Sequence, residues 1–498
     1  MKFMIKSLMA AALAMSAAHV NAHTNQGFLS VPRAQRASLV LDSAIAHQLV
    51  KTNKEDRFGG NLLVRGFYSE SNKKDALGKY FGVNDQATFK AAWGTHNNAA
   101  AGDQASGVNA GFLVHDATAT IGAQALAPAD FATIAFQPKT VSYGLEFGYE
   151  QCLGKILEGL HLSIALPVER VENNMNLDIS TPGAHAADVT TLQDFFAGKL
   201  GTGASVAGVV AGAGANLSGQ NKLSKALIDG KRSATGIADI DAILGYDFVR
   251  NENWTAGLNI GLVVPLGNQT TGQYLFEPVY GNGGHWELGF GGRVQGTLWQ
   301  DGDQHIALNL QADYRYGFKA NETRTLSISK DGIQNNLNQY YLTVTDGAIR
   351  ATEAPFANAN TVAVSVTPNS AVRGNLGLCY GNGGFVFGVA YAPSWKQAES
   401  VSVTPNIPAN TIVLHPEQDS MDRASVVANG VAFTSADVNA DYSKRPEQLA
   451  HRFGGDLGYT FKEWEYPITI GAGAHYELGK DNATVENWGV NVTAGIGF

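Results

Sequence analysis

The sequence predicts an all-β chain folded as a transmembrane antiparallel up-and-down β-barrel of about 12 strands, with long loops at one end and short turns at the other. Three observations carry that prediction. Apolar and polar residues alternate with period two through twelve segments between residue 58 and the C-terminus. Most of these segments run about 11 to 15 residues, enough to cross a hydrocarbon core at a tilt and well beyond the length of soluble strands. The connections between them alternate long and short along the chain.

Residues 1–22 read as a signal peptide. Lys2 and Lys6 give a positive start, Ser7 to Ala18 form a short apolar core, and Val20-Asn21-Ala22 has the small-x-small pattern that signal peptidase cuts. The apolar run is too short to span a bilayer, so a mature chain from His23 is expected. Residues 23–57 form an N-terminal segment of their own. Within it 30–50 suits a helix, with Pro32 near its start and Leu41, Ile45 and Leu49 on one face, serving either as a lumen plug or as a periplasmic helix. Residues 58–498 are the barrel. Composition agrees: only 16% of residues are charged, glycine reaches 57, and no later apolar run approaches the roughly 18 residues of a membrane helix. A net charge of −9 leaves no basic excess for phosphates, which argues against nucleic acid as a partner.

The first strand runs through Leu62, Val64, Gly66 and Tyr68. Val141 to Tyr149, Leu160 to Val168 and Ala238 to Phe248 follow, then Trp254 to Leu266, Trp286 to Leu298 and Ile306 to Phe318. Val372 to Tyr380, Phe385 to Tyr391, Phe453 to Phe461, Tyr466 to Leu478 and Trp488 to Phe498 complete the set. Aromatics such as Tyr143, Tyr149, Trp254, Trp286, Tyr466 and Tyr476 stand near strand ends, where amphipathic rings suit a membrane–water boundary. In lipid every backbone N–H and C=O must pair, and a sheet achieves this only by closing. Segment 110–137, with Phe112, Val114, Phe131, Ile134 and Phe136, has the apolar content for another hairpin, which would raise the count to fourteen.

The last strand alternates Trp488, Val490, Val492, Ala494, Ile496 and Phe498 with polar residues and glycines. It resembles the C-terminal recognition strand of bacterial outer-membrane barrels, whose assembly machinery reads a final Phe and the alternating apolar positions before it. The resemblance covers only these dozen residues. It implies a porin-like outer-membrane barrel of a Gram-negative-type cell, with Phe498 as assembly signal. Outer-membrane lipid, lipopolysaccharide and the assembly machinery are then the expected partners, and a homo-oligomer stays open.

Segments 70–138, 171–234, 267–283, 319–370 and 397–448 are long, while the connections at Gly154, Arg250-Asn251-Glu252-Asn253, Gln300-Asp301-Gly302-Asp303, Gly381-Asn382-Gly383-Gly384 and Lys462-Glu463 are short. Outer-membrane barrels segregate external loops and periplasmic turns in this way. Cys152 and Cys379 both fall at the short-turn rim but on opposite walls, too far apart for a disulfide.

With the apolar alternates facing lipid, the other face lines a lumen. Glu146, Glu150, Glu169, Asp239, Asp241, Asp247, Arg293, Asp313, Arg315, Arg373, Arg452 and Asp456 are the expected pore-lining residues, charges of both signs that either set a transverse field or close into salt bridges. Loop 171–234 is unusually apolar. Thr191 to Leu200 suits a short helix presenting Leu192, Phe195 and Phe196, and Ala204 to Ala215 is apolar as well, so the loop folds either into the barrel mouth or onto neighbouring loops.

Signals for chemistry are weak. His161-Leu162-Ser163 has the spacing of the outer-membrane phospholipase family, whose catalytic pair faces lipid, but here the alternation points both inward. Glu417, Asp419 and Asp422 match no calcium-loop spacing, His285 and His475 stand as lone inward histidines, and the repeated Gly-Asn-Gly-Gly at Gly281 and Gly381 is turn chemistry. No enzyme activity, metal or cofactor is expected. The leading expectation is a channel for passive diffusion of small polar solutes or ions. The alternative is a non-conducting barrel whose loops act as an adhesin or structural coat.

Overall fold

The computed structural model describes residues 59–83, 86–92, 107–109, 131–180, 192–200, 221–328, 337–345, 354–403, 412–414, 431–480 and 484–498. The signal segment, the 23–57 segment, Ala204 to Ala215, and Glu417, Asp419 and Asp422 lie outside these residues.

Twelve strands form one closed antiparallel ring. They are β1 (Gly60–Ser71), β2 (Lys139–Cys152), β3 (Leu160–Asn174), β4 (Lys231–Ile237 and Ile240–Arg250), β5 (Trp254–Val264) and β6 (Glu287–Asp301). The ring continues with β7 (Gln304–Gly317), β8 (Asn369–Asn382), β9 (Phe385–Lys396), β10 (Gln448–Phe461), β11 (Ile468–Gly479) and β12 (Asn487–Gly497). Each pairs with the strand before and after it, and β12 returns to β1 from Asn61↔Gly497 to Ser71↔Asn487. At the seam Gly60 and Phe498 exchange both backbone hydrogen bonds, at 2.6 and 2.9 Å. A ring has no edge, which is what hydrocarbon demands of a sheet.

The period-two pattern has its expected consequence. Outward positions carry large apolar side chains open to the surroundings, among them Leu258 at 61%, Phe290 at 62% and Val492 at 66% exposure. Such a continuous apolar belt is stable in lipid and not in water. The alternate positions point inward and are mostly polar, small or glycine, with apolar exceptions such as Leu63, Ile243 and Val386.

β4 is broken at Ala238-Asp239 for a local reason. Pro167, in the middle of β3, has no N–H to give its neighbour. The ladder runs from Asn174↔Lys231 to Val168↔Ile237 on one side of it and resumes at Ala165↔Asp241 on the other. The extra residues bulge opposite Pro167, whose carbonyl accepts from Ala238 N–H at 2.8 Å.

The two ends differ. At one end the β6–β7 and β8–β9 hairpins turn in two residues, with Gly302 at φ 57° and Gly383 at φ 59°, the left-handed conformation such turns require. At the other end six loops meet: L1 (72–138), L2 (175–230), L3 (265–286), L4 (318–368), L5 (397–447) and L6 (480–486). They build a cap with small sheets of its own. Phe131–Ala135 pairs with Thr88–Ala92 and Asp178–Ser180 in one of these. The apolar content of 110–137 that suggested a fourteenth strand therefore belongs, in its described part, to the cap, and the barrel has twelve.

Among the described residues, the larger apolar core of the cap joins five of the six loops. Leu77, Tyr80 and Phe81 from α1 (Lys74–Phe81) in L1 pack with Leu192, Phe195 and Phe196 of L2, Phe276 of L3, Tyr340 and Phe356 of L4, and Val485 of L6. Phe195, Phe196 and Tyr340 meet edge to face at 5.3–6.3 Å. Of the two dispositions open for the 171–234 loop, its described part takes the second, packing onto neighbouring loops.

Candidate functional site

Inside the barrel the charges are sorted by wall. On the β2–β7 side, Arg293 of β6 donates to both oxygens of Asp247 on β4, at 3.2 and 2.9 Å, and approaches Glu150 of β2 at 3.5 Å. This reach spans five strands, and it needs an unobstructed row. Gly257 of β5 stands between Arg293 and Asp247 in register, and a Cβ there would collide with Asp247 Oδ1. Nearer the cap, Arg315 of β7 pairs with Asp241 of β4 at 2.5 Å. Glu146 of β2 lies directly opposite Arg65 of β1, and Glu169 of β3 is inward near the Pro167 bulge; both are buried.

The β8–β12 side is more open. Arg373 faces Asp313 across the β7–β8 ladder at 3.1 Å, and Arg452 faces Glu477 across β10–β11 at 2.8 Å. Arg65 approaches Asp456 of β10 at 3.8 Å, over β12 and β11. Between these groups lies a cavity of about 100 Å³, roughly the liquid share of three waters. Asn375, Asn491, Gln311, His475 and Ser394 also line it. Eleven of the twelve charged residues named from the sequence stand on the inner face in these positions, and Asp239 does not. Asp239 sits on the bulge, where Oδ1 accepts from Leu266 and Gly267 N–H at 3.2 Å each and Oδ2 from Asn282 N–H at 2.7 Å. Its role is to hold L3, not to line open space.

Arg65 and Glu477 complete two of the cavity's ion pairs. Glu477 carries the inward signal of its strand. Arg65 is harder to read from the sequence because β1 is a weaker pattern, although it alternates with outward Leu62 and Val64. His161 and Ser163 are inward and buried, with His161 Nδ1 at 3.8 Å from Asp247 Oδ2. Neither faces lipid. Cys152 and Cys379 are both free thiols.

Above the lumen, L3, L4 and L5 are joined by a buried ionic cluster. Arg324 of L4, fully buried, donates to Glu322 at 2.9 Å and to Glu399 of L5 at 2.8 Å, and also to the Ser443 carbonyl at 2.5 Å. Arg445 binds the other oxygen of Glu399 at 2.7 Å. His285 of L3 is not a lone lumen histidine: its ring nitrogens sit 2.8 Å from the Phe318 carbonyl and 2.8 Å from Glu322. Burial alone would raise the Glu322 and Glu399 carboxyls, but the Arg324 and Arg445 guanidiniums beside them outweigh it and hold both below the usual glutamate range.

No family model matches the chain, and neither does any curated protein. Solved structures of outer-membrane barrels are similar to it at low identity. An outer membrane channel from Pseudomonas putida F1 is 11% identical over 89% of this chain and 96% of that one, at a TM-score of 0.39. A Pseudomonas aeruginosa FadL homologue is 8% identical over 97% and 98%, at 0.30, and the Pseudomonas putida toluene transporter TodX is 10% identical over 96% and 95%, at 0.31.

Proposed function

We propose that this barrel of the outer-membrane type is a channel for small polar solutes or ions, gated at its outer end by the folded cap. The observation that supports it is the charge-lined cavity on the β8–β12 wall, beneath loops that share one apolar core. A barrel serving only as a scaffold has no need of polar interior space. Conduction in this reading requires the cap, whose loops share one core, to move. In this reading the chain lies in the cell outer membrane with the cap outside and the short turns in the periplasm, is exported by the cleaved 1–22 signal, and is inserted by the barrel-assembly machinery among lipid and lipopolysaccharide.

The second reading, a non-conducting barrel whose cap is an adhesin or coat, is favoured by the size of the cap core, which joins five loops. Planar-bilayer recording of the refolded protein separates the two. Unitary currents that rise in frequency when the cap is loosened are expected for a channel. Silence at all voltages and salts, in the wild type and in a cap-loosened variant, would give the protein to the second reading.

A further inference from the structure

The cavity on the β8–β12 wall is set apart by the balance of its charges. Three guanidiniums, Arg65, Arg373 and Arg452, and three carboxylates, Asp313, Asp456 and Glu477, surround the same space, so its formal charge is zero while both signs are present. Two of the three pairs are closed by hydrogen bonds at 3.1 and 2.9 Å. The third, Arg65 with Asp456, stands at 3.8 Å, beyond hydrogen-bond length.

The polar neighbours point the same way. Asn375 and Asn491 line the cavity and are 8% and 7% exposed, and neither Oδ1 has a hydrogen-bond partner. These oxygens are acceptors that a donor in the cavity can meet. Asn491 hydrogen-bonds to Asp456 through its amide side, and both crowd over Gly473, where a Cβ would collide with Asp456 Oδ1. The absence of a side chain on β11 thus lets the Asp456 carboxylate and the Asn491 amide nitrogen converge there, with the Arg65 guanidinium 3.8 Å from Asp456.

We propose that this cavity is a binding site for a small zwitterion, a molecule carrying an ammonium and a carboxylate a few bonds apart, which the channel conducts. The ammonium lies toward Asp456 with the Asn375 and Asn491 oxygens as further acceptors, and the carboxylate lies toward Arg65, whose five donors serve more than one partner. A lone anion meets the three carboxylates and a lone cation the three arginines, whereas a dipolar solute matches both. Glycine, the smallest molecule of this class, is the probe.

The inference deepens the channel reading, and its test is built so that the two fail separately. Equilibrium dialysis of the detergent-folded protein against labelled glycine, acetate, ethylamine and glycerol reads the site without conduction. Glycine is expected to bind saturably and at least about tenfold tighter than the other three. Asp456→Asn should weaken glycine about tenfold or more and leave acetate no weaker, and Asn375→Leu should weaken glycine while the barrel keeps its heat-modifiable gel mobility. The proposal is overturned if wild-type protein takes up glycine no better than glycerol, or if folded Asp456→Asn binds glycine as the wild type does. In bilayers, currents that glycine interrupts and glycerol does not would support it. Currents that neither solute touches would overturn the zwitterion site and leave the channel standing.

Discussion

Arg293 and Asp247 face each other across Gly257, the three standing in one row of the barrel wall, and the guanidinium reaches the carboxylate at 2.9 Å over a residue with no side chain. The ion pair and the glycine are one feature. The strands β4 and β6 carry the charges, and β5 between them has no side chain at that position, which lets them meet.

Gly257→Val should therefore break the pair without touching either charge. The new side chain meets Asp247 Oδ1 and the Tyr246 carbonyl, so the wall has to shift. The expected cost is about 1–3 kcal/mol, as for other overpacked sites. Urea titration followed by gel mobility measures it, and an unchanged midpoint would mean that the wall relaxes freely there.

The cap should respond to loss of a single ring. Phe195 is fully buried against Phe196 and Tyr340, each from a segment far from the barrel wall in sequence. Phe195→Ala is expected to cost the cap about 3–5 kcal/mol while sparing the lipid-facing belt. Protease sensitivity confined to the cap, with the barrel core intact, is the expected result, accompanied by more frequent channel openings. Loss of the barrel as well would show that the cap and the ring fold as one unit.

Acid should loosen the same cap. Glu322 and Glu399 are held below the usual glutamate value by Arg324 and Arg445, so both are more acidic folded than unfolded. Their stabilisation is present in full above the unfolded value near 4.3 and is lost as pH falls below it toward their own lowered values. Cap proteolysis followed from pH 7 to pH 3 should be flat down to about pH 4.5 and rise below it. A Glu399→Gln variant, with no carboxylate to titrate and two arginines left facing an amide, should be loose already at pH 7. A pH-independent wild-type cap would remove the ionic cluster from the list of what holds it shut.

Phe498 closes the ring in two ways. Its backbone exchanges hydrogen bonds with Gly60, and its ring stacks on Tyr149 at 6.5 Å. Phe498→Ala keeps the backbone bonds and removes the ring. Slower insertion and more protease-sensitive chain in the periplasm are expected, read by pulse-chase and gel mobility. Wild-type insertion kinetics would mean that the ring is dispensable for assembly.

Orientation is checked by labelling introduced cysteines with an impermeant reagent on whole cells. Positions in L3 and L5, such as Thr271 and Asp441, should react. Asp301 and Asn382, at the short turns, should stay silent until the outer membrane is opened. The opposite pattern would place the cap in the periplasm.

The strands of this protein are legible in its sequence because each residue answers to its own surroundings. Leu258 and Ile260 face lipid, Asn259 faces the lumen, and no distant partner is needed to say which is which. The short turns are legible for the same local reason, since Gly302 and Gly383 are dictated by a two-residue reversal. Even Leu192, Phe195 and Phe196 announce a packed face before its partners are known. The partners are what the sequence leaves open. Arg65 meets Asp456 because the ring closes β1 onto β12, joining residues 391 positions apart, the difference of their numbers. Asp239 binds three backbone amides of L3 because Pro167, on another strand, forces the bulge that turns it. The cap core collects side chains from loops that share only an end of the barrel. Alternation is a property of a segment and survives reading in one dimension. Register, closure and the meeting of loops depend on which segments become neighbours, and only the folded ring decides that.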